Sequence, residues 1–177
     1  MTKNKNYIGI DISKLSFDVA IKNERDKYSH YKFSNDNQGF INFKKLLNED
    51  LDICVMEASG PYYLKLSQYL FDQHISVSVV NPLVIRRFGQ MRMSRTKTDK
   101  KDAALIAEYG KAENPNLWIP EADYVLEIKQ MQAYVEQMNK SRTGFLRQKE
   151  AFKHNTAESI LLNESLDKMI SGLEIEI

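Results

Sequence analysis

Residues 7–22 read YIGIDISKLSFDVAIK, and the fold is decided there. Tyr7–Ser13 and Phe17–Lys22 are short runs of β-branched and aromatic residues separated by Lys14-Leu15-Ser16, the pattern of a β-hairpin. Ser29–Ser34 alternates weakly and extends the meander to a third strand. Downstream the period changes. Phe40, Phe43, Leu46 and Leu47 fall at helical spacing, with Asn37 as the expected N-cap. Asp52–Ala58 (DICVMEA) is a nearly continuous apolar run, as for a strand buried on both faces. Tyr63, Leu66, Leu70 and Phe71 make a second amphipathic helix after Gly60-Pro61. Ser76–Val80 is a further strand, closed by Asn81-Pro82 ahead of a third helix. Three meandering strands followed by βαβ crossovers predict an α/β domain, a mixed five-stranded sheet flanked by helices.

Two acids break the apolar pattern. Asp11 sits between Ile8-Gly9-Ile10 and Ile12, where an ionised carboxylate is costly unless a cation or several donors meet it. Gly9 beside it implies close approach of another backbone or of a ligand. Glu57 ends the run Ile53-Cys54-Val55-Met56, at the carboxyl end of its strand, the edge at which α/β sheets bind ligands. If the two strands are neighbours, both carboxylates converge on one edge. Asp99 and Asp102 open a later helix three residues apart, on one face. That pair has a second reading, since acids in a first turn also cap free N–H groups and favour the helix dipole. Four converging carboxylates repel one another and make sense only around cations. Oxygen donors without a Cys/His cluster suit Mg²⁺ or Mn²⁺ rather than zinc.

The charge is unevenly spread. Between Leu83 and Lys111 eight basic residues face three acids, a local net of +5 in a chain of net +1, so the remainder is at −4. Arg86, Arg87, Arg92, Arg95, Lys97, Lys100 and Lys101 are therefore candidate contacts to nucleic-acid phosphates. An acid cluster beside a basic stripe is a design for phosphoryl transfer, in which two hard cations activate a nucleophile and clamp a phosphodiester. No apolar stretch approaches the roughly 18 residues needed to cross a bilayer, and the charged N-terminus runs straight into a strand, so neither a membrane partner nor a signal peptide is expected. One cysteine, Cys54, excludes an internal disulfide and fits the reducing cytoplasm.

From Asp123 the chain reads as helix alone. Tyr124, Ile128, Met131, Val135 and Met138 are spaced 4-3-4-3, a heptad seam that Phe145 and Phe152 continue. Leu162, Leu166, Met169 and Leu173 resume the spacing in another phase, with a stutter or a turn near His154-Asn155-Thr156. Such a stripe packs on a partner helix or folds back on its own domain. The expected division is a domain over residues 1–120 and a helical coiled-coil, oligomerisation region over 121–177. The pattern still runs at Ile177, which leads us to expect further chain in the natural protein.

Three motifs in order, Ile8-Gly9-Ile10-Asp11-Ile12-Ser13-Lys14, Met56-Glu57-Ala58-Ser59-Gly60-Pro61-Tyr62 and Lys97-Thr98-Asp99-Lys100-Lys101-Asp102-Ala103, resemble the DEDD insertion-sequence transposases, relatives of the Piv DNA invertases. The resemblance spans roughly residues 7–120, with the helical region in its expected place. It implies a RuvC-like ribonuclease H fold and a catalytic divalent-metal site at Asp11, Glu57, Asp99 and Asp102. It also implies DNA as substrate, a noncoding guide (bridge) RNA, and homo-oligomers formed partly through the helical region. In that family the attacking serine is thought to lie in a separate C-terminal domain. The expectation is that this chain alone does not complete recombination, and that Ser13 and Ser59 shape turns.

Two neighbouring classes share parts of the pattern. A Holliday-junction resolvase has the fold and an acidic metal site, but the Thr-Asp-Lys-Lys-Asp-Ala motif and the heptad tail favour the transposase. An actin-like or sugar-kinase ATPase also opens on Gly-Ile-Asp. It needs a second phosphate-binding glycine turn, which the seven glycines do not supply. A non-catalytic binding or dimerisation module is the remaining alternative.

Overall fold

The computed structural model describes residues 5–23, 26–92, 99–155, 157 and 159–177, and for residues 99–101 the backbone alone. The chain separates into two compact units, residues 1–120 and 121–177. The first contains strands β1 (Asn6–Ile12), β2 (Ser16–Lys22) and β3 (Tyr28–Ser34), then helix α1 (Asn37–Lys44), strand β4 (Asp52–Glu57), helix α2 (Leu64–Asp72), strand β5 (Ser76–Val80) and helices α3 (Pro82–Met91) and α4 (Asp99–Glu113). The sheet order is β3-β2-β1-β4-β5. β1 pairs antiparallel with β2, and β2 with β3, whereas β1–β4 and β4–β5 are parallel. The mixed five-stranded sheet flanked by helices is the expected α/β architecture and is consistent with the RuvC-like fold.

Alternation along the strands assigns the two faces. Ile8, Ile10, Phe17, Val19, Cys54 and Met56 pack beneath α1 and α2, against Phe40, Phe43, Leu66 and Leu70. Phe17 is the hub of an aromatic cluster, its ring centroid 5.5 Å from Phe33 and Phe43 and 6.2 Å from Phe40. Each such ring buried contributes on the order of 1.5–3 kcal/mol. On the opposite face Ile53, Val55 and Val80 meet Ile85 of α3 and Ile106 of α4. β4 is thus buried on both faces, which is why its sequence does not alternate. Beyond α4 the chain returns along β5, where the Trp118 amide donates to the Val77 carbonyl at 2.7 Å and covers that sheet edge.

One cap differs from expectation. Asp36, not Asn37, is the N-cap of α1; its carboxylate accepts from the Gly39 amide and the Ser34 hydroxyl, both at 2.8 Å. The helix also ends at Lys44, so Leu46 and Leu47 lie in the turn that follows, with Leu47 still packed on the core. At α3 the expected Asn81-Pro82 signal holds: Asn81 accepts from the Leu83 amide, and Pro82 occupies the first turn, where its missing N–H costs nothing.

The second unit is a pair of helices, α5 (Asp123–Phe152) and α6 (Ile160–Glu176), so the break in the heptad pattern is a turn. Arg142 donates to Glu174 at 2.7 Å and Lys149 pairs with Asp167, residue numbers falling on one helix as they rise on the other: the helices run antiparallel. Leu166 and Ile170 are buried in the contact, with Leu173 half-buried, whereas Leu162 and Met169 are about half exposed. The packed face of α6 therefore keeps Leu166 and Leu173 of the expected Leu162-Leu166-Met169-Leu173 stripe and takes Ile170 in place of Met169. Apolar residues at adjacent positions left two faces open to the pattern, and burial selects the one containing Ile170.

Candidate functional site

Asp11 lies near the carboxyl end of β1, half-buried between buried Ile10 and Ile12. The parallel β1–β4 register pairs Gly9 with Val55 and Ile10 with Met56, which brings Glu57, the last residue of β4, level with Asp11. Because Asp11 follows Gly9 by two and Glu57 follows Val55 by two, both acids belong to one sheet face. Neighbouring parallel strands thus place the two carboxylates on one face at one edge, as the sequence led us to expect.

That face carries α4, and Gly9 is the reason it docks there. A Cβ on Gly9 would stand 1.9 Å from the Ala103 carbonyl oxygen and 2.5 Å from the Ala107 nitrogen. The close approach anticipated at Gly9 is therefore made by the backbone of α4. At the other end of the helix Gly110 sits over Tyr7 and Val55, where an added Cβ would lie 2.9 and 2.7 Å from their side chains. α4 consequently runs opposite to β1, with its N-terminal end towards the carboxyl ends of β1 and β4. Asp102, half-buried, directly precedes Ala103, and Asp99 is the first residue of the helix. The Asp99 side chain lies outside the described residues. Among the described residues no group of three or more Asp, Glu, His or Cys side chains is gathered into a metal-holding cluster. Asp11 and Glu57 share an edge and a face.

Sequence reasoning missed Asp18 and Lys32, and read Ser59 only as shaping a turn. Asp18 of β2 is paired directly with Asp11 across the antiparallel ladder, and Lys32 of β3 is paired with Asp18. Lys32, Asp18, Asp11 and Glu57 therefore form one transverse row on the α4 face. Like charges directly opposite each other destabilise a sheet. The Lys32 ammonium, 3.0 Å from Asp18 Oδ2, offsets part of that cost. The signal was present: a hairpin that pairs Ile12 with Phe17 puts Asp18 opposite Asp11. Ser59 also meets Glu57. Its hydroxyl donates to Glu57 Oε1 at 3.1 Å. Ser13 only shapes the hairpin, donating to the Ser16 carbonyl at 2.7 Å. Cys54, on the other face of β4, is no ligand here; burial, reinforced by nearby Asp52, pushes its thiol well up.

The basic stripe is partly described. Arg86 and Arg87 are exposed on α3, opposite its buried Ile85, Phe88 and Gly89, and Arg92 is exposed at its C-cap. The Arg92 guanidinium stands 5.1 Å over the Phe88 ring, an anchor that costs it little reach into solvent. Arg95 and Lys97 lie outside the described residues, as do the side chains of Lys100 and Lys101. No helix among the described residues is long and apolar enough to cross a membrane.

Comparison with known proteins identifies the family. A family model described as a transposase, that of the DEDD transposases, matches residues 8–153. The pilin gene-inverting protein of Moraxella lacunata is 38% identical over 149 residues, 79% of this chain and 46% of that protein. The pilin gene-inverting protein of Moraxella bovis is 37% identical over the same length and shares. The chain spans about half the length of these curated relatives. The family in general depends on divalent metal. With the three motifs, the sheet order and the matched residues in agreement, the chain belongs to the DEDD transposase family.

Proposed function

We propose that this chain supplies the RuvC-like, metal-binding part of a DNA transposase or invertase, working by phosphoryl transfer on DNA. The observation that carries the reading is the level placement of Asp11 and Glu57 on neighbouring parallel strands, with the start of α4 docked beside them over Gly9. The donor set fits the metal: carboxylate oxygens at one sheet edge, with the single cysteine buried on the opposite face. Asp11, Glu57, Asp99 and Asp102 would hold Mg²⁺ or Mn²⁺ and are the catalytic set. Bound there, the cation would polarise a phosphodiester and lower the cost of forming a nucleophile. The protein's own part is to fix Asp11 and Glu57 on a rigid sheet, to bring the start of α4 beside them, and to pair Lys32 with the neighbouring Asp18.

Inversion of a pilin gene, the activity in the relatives' names, requires DNA to be broken and rejoined. DNA is accordingly the partner we assign, in the cytoplasm. A guide RNA is the second nucleic acid that the family resemblance implies. Arg86, Arg87 and Arg92 serve either polymer through phosphates, together with Arg95, Lys97, Lys100 and Lys101. Their replacement by Ala should weaken binding and flatten its salt dependence; an unchanged salt slope would show that this face plays no part.

The helical unit suits assembly. α6 has 17 residues against 30 in α5, and Tyr124, Ile128, Met131 and Val135 on the first half of α5 are exposed. We assign this stripe to a second copy of the chain, paired as a coiled coil. Ile128→Glu with Val135→Glu should convert an oligomer to monomer in sedimentation experiments.

The site itself is tested by calorimetric titration of Mg²⁺ and Mn²⁺ into the whole chain, Asp11→Asn and Glu57→Gln. Loss of binding in both variants, with folding intact, supports one shared metal site. Equal binding by all three, with DNA present, would refute the reading.

A further inference from the structure

Glu57 is restrained by more than its strand. The ladder to β5 continues one residue past it, the Ala58 amide donating to the Val80 carbonyl at 2.9 Å. The chain then folds back on Glu57 itself. The Ser59 amide donates to the Glu57 carbonyl at 2.8 Å, and the Ser59 hydroxyl donates to Glu57 Oε1 at 3.1 Å. Gly60 follows at φ +55°, a left-handed conformation that turns the chain away without the strain a side chain would bring. The turn is anchored from outside as well. The Asn35 side-chain amide donates to the Tyr62 carbonyl at 3.2 Å and to the Ser13 carbonyl at 2.9 Å. It thereby ties the loop after β4 to the loop after β1, the two strands that carry Glu57 and Asp11.

We propose that Ser59 is a positioning residue for the metal site: its hydroxyl holds Glu57 Oε1 and so presents Oε2 as a single oxygen ligand to a divalent cation shared with Asp11. The inference rests on the proposed function above and deepens it. The terminal torsion of a glutamate is broad and nearly free, so an unrestrained Glu57 would offer a cation either oxygen, or both, over a wide arc. A hydrogen bond from a serine two residues away removes that freedom. The serine is fixed in turn by its own amide bond to Glu57 and by the Asn35 tie, so the hydroxyl is aimed before any ligand arrives. Groups that orient a metal-binding carboxylate in this way characteristically carry about ten- to hundredfold in metal affinity.

The test is a calorimetric titration of Mn²⁺ into the whole chain, comparing native protein with Ser59→Ala, Ser59→Thr and Ser59→Val, with Glu57→Gln as reference. Thermal unfolding is followed in parallel. Thr and Val share one shape and differ in the hydroxyl, so that pair isolates the hydrogen bond even if Ser59→Ala disturbs the turn. Expected are an affinity near native for Ser59→Thr, a loss of about ten- to hundredfold for Ser59→Val and Ser59→Ala, and the largest loss for Glu57→Gln. Thr and Val variants binding equally, at any affinity, would overturn the positioning role. If Ser59→Val binds as native protein does while Glu57→Gln has lost binding, Ser59 is set aside and the metal-site reading stands. If neither Glu57→Gln nor Asp11→Asn alters binding, both fall together.

Discussion

Replacing Gly9 with alanine is the most demanding test of how the site is assembled. The new Cβ would point into the backbone of α4, 1.9 Å from the Ala103 carbonyl oxygen. Ordinary carbon–oxygen contacts close to about 3.3 Å at their tightest, so α4 must retreat by roughly 1.4 Å. No side-chain rotation relieves the clash, because the contacts are main-chain atoms of Ala103 and Ala107. Overpacking of this kind costs about 1–3 kcal/mol or more, and rigid backbone on both sides argues for the upper end. At about 2–4 °C per kcal/mol for a chain of this size, Gly9→Ala should lower Tm by roughly 6–12 °C.

The displacement also has a functional consequence, since α4 carries Asp99 and Asp102 while β1 carries Asp11. In the site we propose, carboxylates displaced by about 1 Å exceed the roughly 0.5 Å that a metal site tolerates, so Mn²⁺ binding should weaken. Thermal unfolding monitored by circular dichroism measures the first effect. Mn²⁺ titration well below the new Tm measures the second. A Gly9→Ala protein that melts within about 2 °C of native and binds Mn²⁺ as tightly would show that α4 does not rest on Gly9. The geometry linking the two acid pairs would then be wrong.

Other expectations follow from the same structure. Gly144 sits in the middle of α5 with nothing within 4 Å of an added Cβ, so Gly144→Ala should stabilise the protein by about 0.5–1 kcal/mol in urea unfolding; a loss of stability would mean that this face is covered by a partner. The Asp36 carboxyl is held below its ordinary value by the Gly39 amide and then by the Ser34 hydroxyl. Its contribution is therefore present above the unfolded value of 3.8 and is lost as pH falls through the lower folded value. Asp36→Ala should lower Tm at neutral pH and lose its effect in strong acid, and a pH-independent difference in Tm would contradict the cap. Cys54 is fully buried with its thiol pushed up, so a thiol reagent should label it only as fast as the domain unfolds; rapid labelling of the folded chain would refute its place in the core.

Much of this was legible in the residues because the physics was local or strongly patterned. The meander and the buried strand of β4 follow from alternation and its absence, and Asn81-Pro82 announces α3. Asp11 and Glu57 stand out because a charge inside an apolar strand needs a reason. Long-range consequences were less visible. Gly9 signalled a close approach, yet only the packing of α4 identifies Ala103 and Ala107 as what approaches. Asp18 reads as an ordinary polar residue in FDVAIK until the hairpin register places it opposite Asp11. In α6, neighbouring apolar residues permit two helical stripes, and the choice is made by which one meets α5. The Ser59–Glu57 bond depends on how the chain folds back after β4, which residue types alone do not specify.

The arrangement explains why the acids come from elements so far apart in the chain. β1 and β4 are parallel, so their carboxyl ends coincide, and any ligand there can draw on both at once. β2 runs the other way, so its early residue Asp18 arrives at the same level and brings a fourth member, Lys32, from the edge strand. α4 enters that level from above because only a glycine at position 9 lets its backbone touch the sheet. Each element alone has a bland interpretation: a hairpin acid, a strand-end glutamate, a pair of helix-capping aspartates. Asp11, Glu57 and Asp18, held on one sheet face, gather negative charge beside Lys32. Such a row costs a sheet stability, and in the function we propose a divalent cation would offset part of that cost.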